Sequence, residues 1–346
     1  MAFFPLDQKL GIGRAVWSEG VGKGVCRLAA RMPFAQAAAD YEALTHIAVS
    51  GKSVERTAHA YGGALVEQRM SEAEAAWQPP AKGAVPLPPR DAPRRRGVSL
   101  DGTMIHTRVG WKEVKVASFF GFQARGKWEL GAEGEYRART FDSTYCTWLG
   151  SVDQFGPLQW AEAGRRQVDW AKEVVCVSDA AAWIEKLSAT CYPQATNIVD
   201  WWHASEHIWT VAKAAYGEGT EKTKTWAEAR SDELWKGRWK AFEQALAKLK
   251  SPQVETMRLI EQERQFFRNH KERMDYSDYR RRGLPIGSGS VESACKNIVG
   301  ARCKQAGMRW TEQGAQAILF LRAELISDLW DQAWELALRK LAPNAT

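Results

Sequence analysis

Hydrophobic positions along the chain change their period twice. Over residues 33–44, Phe34, Ala37, Ala38, Tyr41 and Leu44 recur every three to four residues, the stripe of a helix that Pro33 can open. After a break over 45–52, Ser53 is a candidate N-cap for a second helix, running through Arg56-Thr57-Ala58-His59 to Gly62-Gly63. Residues 78–93 then hold six of the 13 prolines. Proline removes backbone donors and disfavours helix in the residue before it, so this stretch predicts a linker and a domain boundary. Beyond it the period drops to two. Over 97–109, Val98, Leu100 and Met104 alternate with Ser99, Asp101 and Thr103, and over 113–122 Val114, Val116, Phe120 and Phe122 alternate again. A third strand, rich in Thr, Tyr and Trp, is predicted at 143–149.

From there helices and strands alternate: helix 152–165, strand 173–178, helix 180–189, strand 195–200 and helix from about 204. Three strands joined by short turns predict an antiparallel meander, and the later strands should add to it in parallel. This is the order of a ribonuclease-H-like mixed α/β sheet. Residues 204–282 read as helix throughout, with Trp209, Trp226, Trp235 and Trp239 as core candidates. A further helix should follow Gly287-Ser-Gly-Ser290, and the remaining segment is helical, with Trp330 and Trp334 spaced for packing. The organisation expected is an N-terminal helical region 1–77, a Pro/Arg-rich linker 78–96, a core 97–203, a helical insertion 204–282 and a core completion 283–346. The first two helices are compatible with a helix-turn-helix, in which Lys52 and Arg56 would be nearest to DNA. Any small helical hairpin shares that pattern.

Composition adds little until charge is located. With 346 residues, 45% hydrophobic and 26% charged, the chain is long enough for two or three globular domains and unlike a disordered one. No apolar run approaches the ~18 residues of a membrane span, and no signal peptide is visible, so a soluble intracellular protein is expected. Six scattered cysteines without CxxC spacing predict free thiols packed as small hydrophobes, and neither zinc nor disulfides. Residues 264–309 carry 11 Lys/Arg against 4 Asp/Glu, which accounts for the whole net charge of +7. Clustering of this kind suggests a polyanionic partner, nucleic acid above all; a solvated helix face is the alternative.

Three acidic residues occupy positions that such a fold uses. Asp101 lies in the first strand before Gly102, Asp179 follows the strand 173–178, and Glu292 lies in the first turn of the helix after Gly-Ser-Gly-Ser. Carboxylates from separate elements make an all-oxygen site suited to Mg²⁺ or Mn²⁺, and two such ions about 3.5–4 Å apart can clamp both oxygens of a phosphoryl displacement. Singly, each has a plain reading: a turn residue, a helix N-cap and a residue complementing the helix dipole. The basic tract around Glu292 favours the joint catalytic reading. Asp200 and His203, in Ile198-Val-Asp-Trp-Trp-His203, either brace the site or bind metal peripherally, with helix capping as the plain alternative. Lys296 shares a helix face with Glu292, and Lys296, Arg302, Lys304 and Arg309 are candidate phosphate contacts. Arg280, Arg281 and Arg282 form a further candidate DNA contact, and Trp310 is either core or a base-stacking residue.

Ordered blocks sharpen this. Val98-Ser-Leu-Asp101-Gly-Thr-Met, Trp111-Lys-Glu-Val-Lys115, Val177-Ser-Asp179-Ala-Ala-Ala-Trp-Ile184, Asp200-Trp-Trp-His203-Ala-Ser-Glu-His207, Gly287-Ser-Gly-Ser-Val-Glu292, Gly307-Met-Arg-Trp310 and Phe3-Phe-Pro-Leu-Asp7 together resemble the ISKra family of insertion-sequence transposases, a group of DDE transposases. The resemblance spans nearly the whole chain. It implies Asp101, Asp179 and Glu292 as a metal-binding catalytic triad for two Mg²⁺ (or Mn²⁺) ions, with Asp200 and His203 as an accompanying element. It further implies transposon ends and target DNA as partners, a homodimer or higher oligomer on DNA, and a bacterial cytoplasmic location on the nucleoid. Where the family usually has Gly after the second Asp, this chain has Ala180. Members often carry a cysteine-containing segment before the block 3–7, whereas Met1 here falls almost on it. A trimmed relative that binds DNA without cutting is therefore the competing expectation, and a structure-selective nuclease of the same fold is a third.

Overall fold

The computed structural model describes residues 17–78, 89–124 and 138–341. The block 3–7 and most of the proline-rich stretch lie outside the described residues. Three helices come first: α1 (Glu19–Ala29), α2 (Phe34–Thr45) and α3 (Gly51–Trp77). A mixed sheet follows, built from β1 (Arg95–Thr107), β2 (Gly110–Ala124), β3 (Ala138–Leu149), β4 (Glu173–Ser178) and β5 (Thr196–Val199). Helix α4 (Val152–Arg165) links β3 to β4, and α5 (Ala182–Cys191) links β4 to β5. The strand order is β3-β2-β1-β4-β5. The first three strands form the antiparallel meander, and β4 and β5 add in parallel, as the alternation of elements predicts.

The central strands are covered on both faces, which the period-two reading understates. Along β2, burial is continuous from Val114 to Phe122, and pairing with β3 shifts register between Phe119 and Gly121. Neighbouring residues still divide between the faces. Phe119, Val174 and Cys176 belong to one core, and Phe120, Val175 and Val177 to the other. The first core is closed by α1–α5, α12 (Glu312–Ile326) and α13 (Trp330–Leu341). The second is closed by a helical block: α6 (Trp201–Tyr216), α7 (Glu221–Trp235), α8 (Trp239–Lys248), α9 (Val254–Asn269) and α10 (Tyr276–Arg281). Its tryptophans pack as the sequence suggests: Trp201 meets Trp235 and Tyr276, and Trp239 meets Phe242. Trp330 and Trp334 stack at 6.4 Å and are buried. All six cysteines are free, and five are buried.

The N-terminal helices depart from the short hairpin expected. Ser50, not Ser53, caps α3: its side chain accepts from the Ser53 amide at 3.0 Å. Gly62 and Gly63 do not end this helix, which runs on to Trp77. Gly62 is there for close packing, since a Cβ at that position would lie 2.6 Å from the Ala317 carbonyl oxygen of α12. Arg69 of α3 reaches Glu324 of α12 at 2.8 Å in the same interface. Thus α3 is a scaffold helix inside the first core, with Val54, Ala58, Leu65 and Ala73 buried. Lys52 and Arg56 are exposed near its amino end, as are Glu74–Trp77 at its carboxyl end.

Two adjacent glycines make this testable. Gly62→Ala should destabilise the protein by about 1–3 kcal/mol, the cost of overpacking a tight helix crossing. Gly63→Ala, with nothing within 4 Å of the added methyl, should stabilise it by about 0.5–1 kcal/mol through helix propensity. Urea unfolding of both variants measures the difference; equal effects would mean that α3 and α12 are not in register as described.

Candidate active site

The site begins with the β1–β4 ladder. The last β1–β4 pair is Ser99 with Val177, and Asp101 and Asp179 each lie two residues beyond it, Asp101 still within β1 and Asp179 just past the end of β4. Asp101 is mid-strand and not in a turn; its Oδ1 accepts from the Gly102 amide at 2.6 Å. Gly102 lets the Glu113 carboxylate of β2 come close, because a Cβ there would be 2.1 Å from Glu113 Oε1. Asp179 leaves the strand end, and its Oδ1 accepts from the Ala181 amide at 2.9 Å. The chain reverses at Ala180, which takes a left-handed φ of 69°. A side chain in that region costs about 1–2 kcal/mol, so the conformation is held by its surroundings next to a candidate catalytic residue.

Glu292 arrives on α11 (Gly289–Ala294), which lies across β1 and β2. Ser290 Oγ and Ser118 Oγ of β2 are 2.5 Å apart, and Val291 and Ala294 are buried beneath the helix. The Glu292 side chain is exposed, and its Oε1 accepts from Ser288 Oγ at 2.6 Å. Behind it the helix widens into a π-helical stretch, Cys295–Gly300. Cys295 Sγ donates to Asp101 Oδ2 at 3.3 Å. Buried Arg322 of α12 donates to the Ile298 carbonyl at 2.8 Å and to the Asn297 and Ala30 carbonyls. A guanidinium thus takes up carbonyls of the irregular turn that carries Glu292, a role invisible in the sequence.

Asp200 is a helix cap that also reaches the turn before Glu292. Its Oδ1 caps α6 by accepting from the His203 amide at 2.7 Å, and its Oδ2 accepts from the Ser288 amide at 2.5 Å. It is 2% exposed. One buried carboxylate therefore ties the end of β5 to the turn that presents Glu292. His203 is engaged elsewhere: its ring meets His207 at 3.2 Å and the edge of Phe266 from α9, and His207 in turn meets Glu263 at 2.5 Å.

The acids feel one another's charge. Burial pushes the Asp101 carboxyl above the usual range, and the charges of Asp179 and Glu292 push it the same way, against bonds from Gly102 and Cys295. Asp200 is likewise raised by burial, with Glu292 adding to the effect. Among the described residues, none of Asp101, Asp179 and Glu292 is ion-paired with Lys or Arg. The donors are all oxygen, which suits Mg²⁺ or Mn²⁺ and not a softer metal. In the present arrangement no three His, Cys, Asp or Glu side chains among the described residues are close enough to hold one ion, and Glu292 is engaged with Ser288.

The basic candidates separate into two groups. Lys304 Nζ donates to Thr103 Oγ1 at 2.5 Å, two residues along β1 from Asp101, and Lys296 and Arg309 are exposed on the same segment. Arg309 shares a cavity of about 210 Å³ with Glu55, His59 and Arg108, so the amino end of α3 borders this surface. Lys52 there is paired with Glu55 at 2.8 Å, and Arg56 reaches Ser53 Oγ at 3.4 Å. Arg302 does not belong with them. It is 1% exposed, donates to the Ala29 carbonyl at 2.9 Å and lies between the rings of Phe34 and Trp310, 4.9 Å from each. Burial pushes its pKa down to about 10. Arg302 is a core residue because its long side chain folds under α2 and not outward.

The triple arginine also lies away from the acids. Arg282 bridges Glu173 at 2.8 Å, and Arg95 reaches the same carboxylate at 2.8 Å, at the amino ends of β4 and β1. That is the opposite end of the sheet from Asp179. Arg280 packs 3.8 Å over the Trp235 ring, and Arg281 pairs with Asp278. Trp310 is core: it is buried, and its indole Nε1 donates to the Cys303 carbonyl at 3.1 Å. Trp111 by contrast is exposed, at 64%, as are Trp202, Trp77 and Phe141 elsewhere. No family model matches the chain, and comparison with curated proteins finds no match.

Stability should report the crowding of the acids. Above its raised pKa, folded Asp101 holds a charge that burial and like-charged neighbours oppose, a cost the unfolded chain lacks; below it, the carboxyl is neutral and the cost is gone. Asp101→Asn should therefore melt at a higher temperature than the wild type at neutral pH without divalent metal. The gap should close as the pH falls toward the ordinary carboxylate value of about 3.9. Melting curves across that range test this, and an Asn variant less stable than wild type at neutral pH contradicts it.

Proposed function

We propose that the chain is a DDE-type transposase with a ribonuclease-H-like core, cutting DNA at the ends of an insertion sequence and joining those ends to target DNA. The observation that carries this is the approach of three acids from separate elements: Asp101 and Asp179 each lie two residues past the last β1–β4 pair, and Glu292 lies one turn before Cys295, which bonds Asp101; none has a Lys or Arg partner among the described residues. The strand order β3-β2-β1-β4-β5, with β4 and β5 parallel to β1, supports the fold assignment. The ordered motif blocks support the family assignment. No helix among the described residues is long and apolar enough to cross a membrane, consistent with an enzyme acting on the nucleoid.

In this reading Asp101, Asp179 and Glu292 would hold Mg²⁺ or Mn²⁺, Glu292 once released from Ser288. When bound, a pair of such cations activates water or a 3′-hydroxyl and stabilises the departing oxygen. The protein's own groups do the rest. Asp200 and Ser288 hold the turn before Glu292, and Arg322 holds the turn after it. Lys304, Lys296 and Arg309 offer cations to the phosphates on either side of the scissile bond. Lys52 and Arg56 extend that surface, whereas Arg280, Arg281 and Arg282 would meet DNA only on the far end of the sheet. The nucleophile is water or DNA, so no protein–DNA covalent intermediate forms. Both ends of an element have to be brought together, which calls for a dimer or larger assembly on DNA.

The test uses a supercoiled plasmid carrying the genomic segments that flank this gene, with Mg²⁺. Wild type should nick it and join the exposed 3′ ends to a second DNA. Asp101→Asn, Asp179→Asn and Glu292→Gln should each lose ~100- to 1000-fold in cleavage rate, the scale for removing a group that stabilises transition-state charge. Binding without cutting by the wild type would instead favour the non-cleaving relative. Cutting of branched DNA without joining would favour the nuclease.

A further inference from the structure

The β1–β2 hairpin tip carries a feature that the cleavage chemistry does not use. Trp111 is 64% exposed, and Met104 and Val109 beside it are exposed as well. The Trp111 ring lies 5.1 Å from the His106 ring, at 48°. Together with Lys304, Gln305, Met308 and Arg309 these two rings line a groove of about 320 Å³. An isolated exposed tryptophan is unremarkable, but this one borders a concavity with two cations and an amide.

The groove has a fixed floor. Trp310 pairs with the end of β1 in a single parallel bridge to Thr107. The Arg108 amide donates to the Trp310 carbonyl at 2.8 Å, and the Trp310 amide to the His106 carbonyl at 3.2 Å. Buried Trp310 anchors that segment from below through its bond to the Cys303 carbonyl. The open face of Trp111 is thus presented by a braced hairpin and not by a loose loop. Its position is set relative to the acids: His106 lies five residues along β1 from Asp101, about 17 Å at strand spacing. Lys304, bonded to Thr103, sits between them.

We propose that this groove takes an unpaired nucleobase of the DNA strand whose backbone leaves the carboxylates along β1, with the base stacked on Trp111. The proposal rests on the reading of the acids as a DNA-cutting centre, which supplies the strand. A flat π face flanked by cations suits a base with its phosphate, since stacking is tolerant of sequence and Lys304 and Arg309 meet the backbone. Gln305 can donate to or accept from a base edge. A base inside a duplex has both faces covered by its neighbours, so the site selects unpaired nucleotides.

Fluorescence anisotropy with fluorescein-labelled oligothymidylate and with a fully paired hairpin duplex tests this on the full chain. Trp111→Ala should weaken oligothymidylate binding ~5- to 100-fold, the range for losing one base–aromatic stack. Duplex binding, which rests on phosphate contacts, should stay within about twofold, and Trp111→Phe should restore most of the loss. Near-ultraviolet circular dichroism checks that the variants keep their packing. Equal losses on both probes without rescue by Phe, no loss on oligothymidylate, or no oligothymidylate binding by the wild type would each overturn the proposal. Asp101→Asn separates it from the catalytic reading, because that variant should keep the Trp111-dependent binding while losing cleavage. If the wild type never cuts yet shows the Trp111 effect, the stacking site stands and the cleavage reading falls.

Discussion

Two carboxylates just beyond the last pair of the β1–β4 ladder repel each other, and that ladder sets where they stand. The ladder that pairs Ser99 with Val177 is fixed by burial on both faces: a one-residue slip would exchange Val175 and Val177 with Val174 and Cys176 between two separate cores. The packing of the whole molecule therefore enforces the juxtaposition of Asp101 and Asp179. The cost is visible in the raised Asp101 carboxyl and in the left-handed Ala180 just past Asp179. Placing a third acid over this pair requires a separate device. Asp200 supplies it from the end of β5 by capping α6 and gripping the Ser288 amide with the same carboxylate.

Much of the sheet was legible in the sequence because its elements are short, strongly patterned and bounded by turn residues. Helix 152–165 and strand 173–178 match α4 and β4 end to end. That the later strands add in parallel followed from their alternation with helices. The N-terminal helices were less legible. Gly62 and Gly63 read as a stop because glycine usually weakens a helix, yet here Gly62 admits the backbone of α12. Contacts between segments hundreds of residues apart leave no local trace.

The same limit governs the charged residues. Clustering of Lys and Arg over 264–309 is real in the sequence, but the fold divides it. Arg302 is drawn into the core between Phe34 and Trp310, and Arg282 clamps the far end of β4. Lys296, Lys304 and Arg309 remain exposed on the segment that carries Glu292. Of two tryptophans near Arg309, the one inside the basic tract is core, and Trp111, from a different strand, is the exposed one. Net charge indicates a polyanionic partner; only the tertiary packing indicates which cations can meet it.

The central claim is that the three acids are a divalent-metal site, and Mn²⁺ binding tests it without reference to any DNA sequence. Free Mn²⁺ is followed by electron paramagnetic resonance during titration of the wild type, Asp101→Asn, Asp179→Asn and Glu292→Gln. The account predicts that the wild type removes Mn²⁺ from solution, that either Asn variant abolishes this, and that Glu292→Gln weakens it. Equal Mn²⁺ uptake by wild type and Asp101→Asn, or none by the wild type, would contradict it.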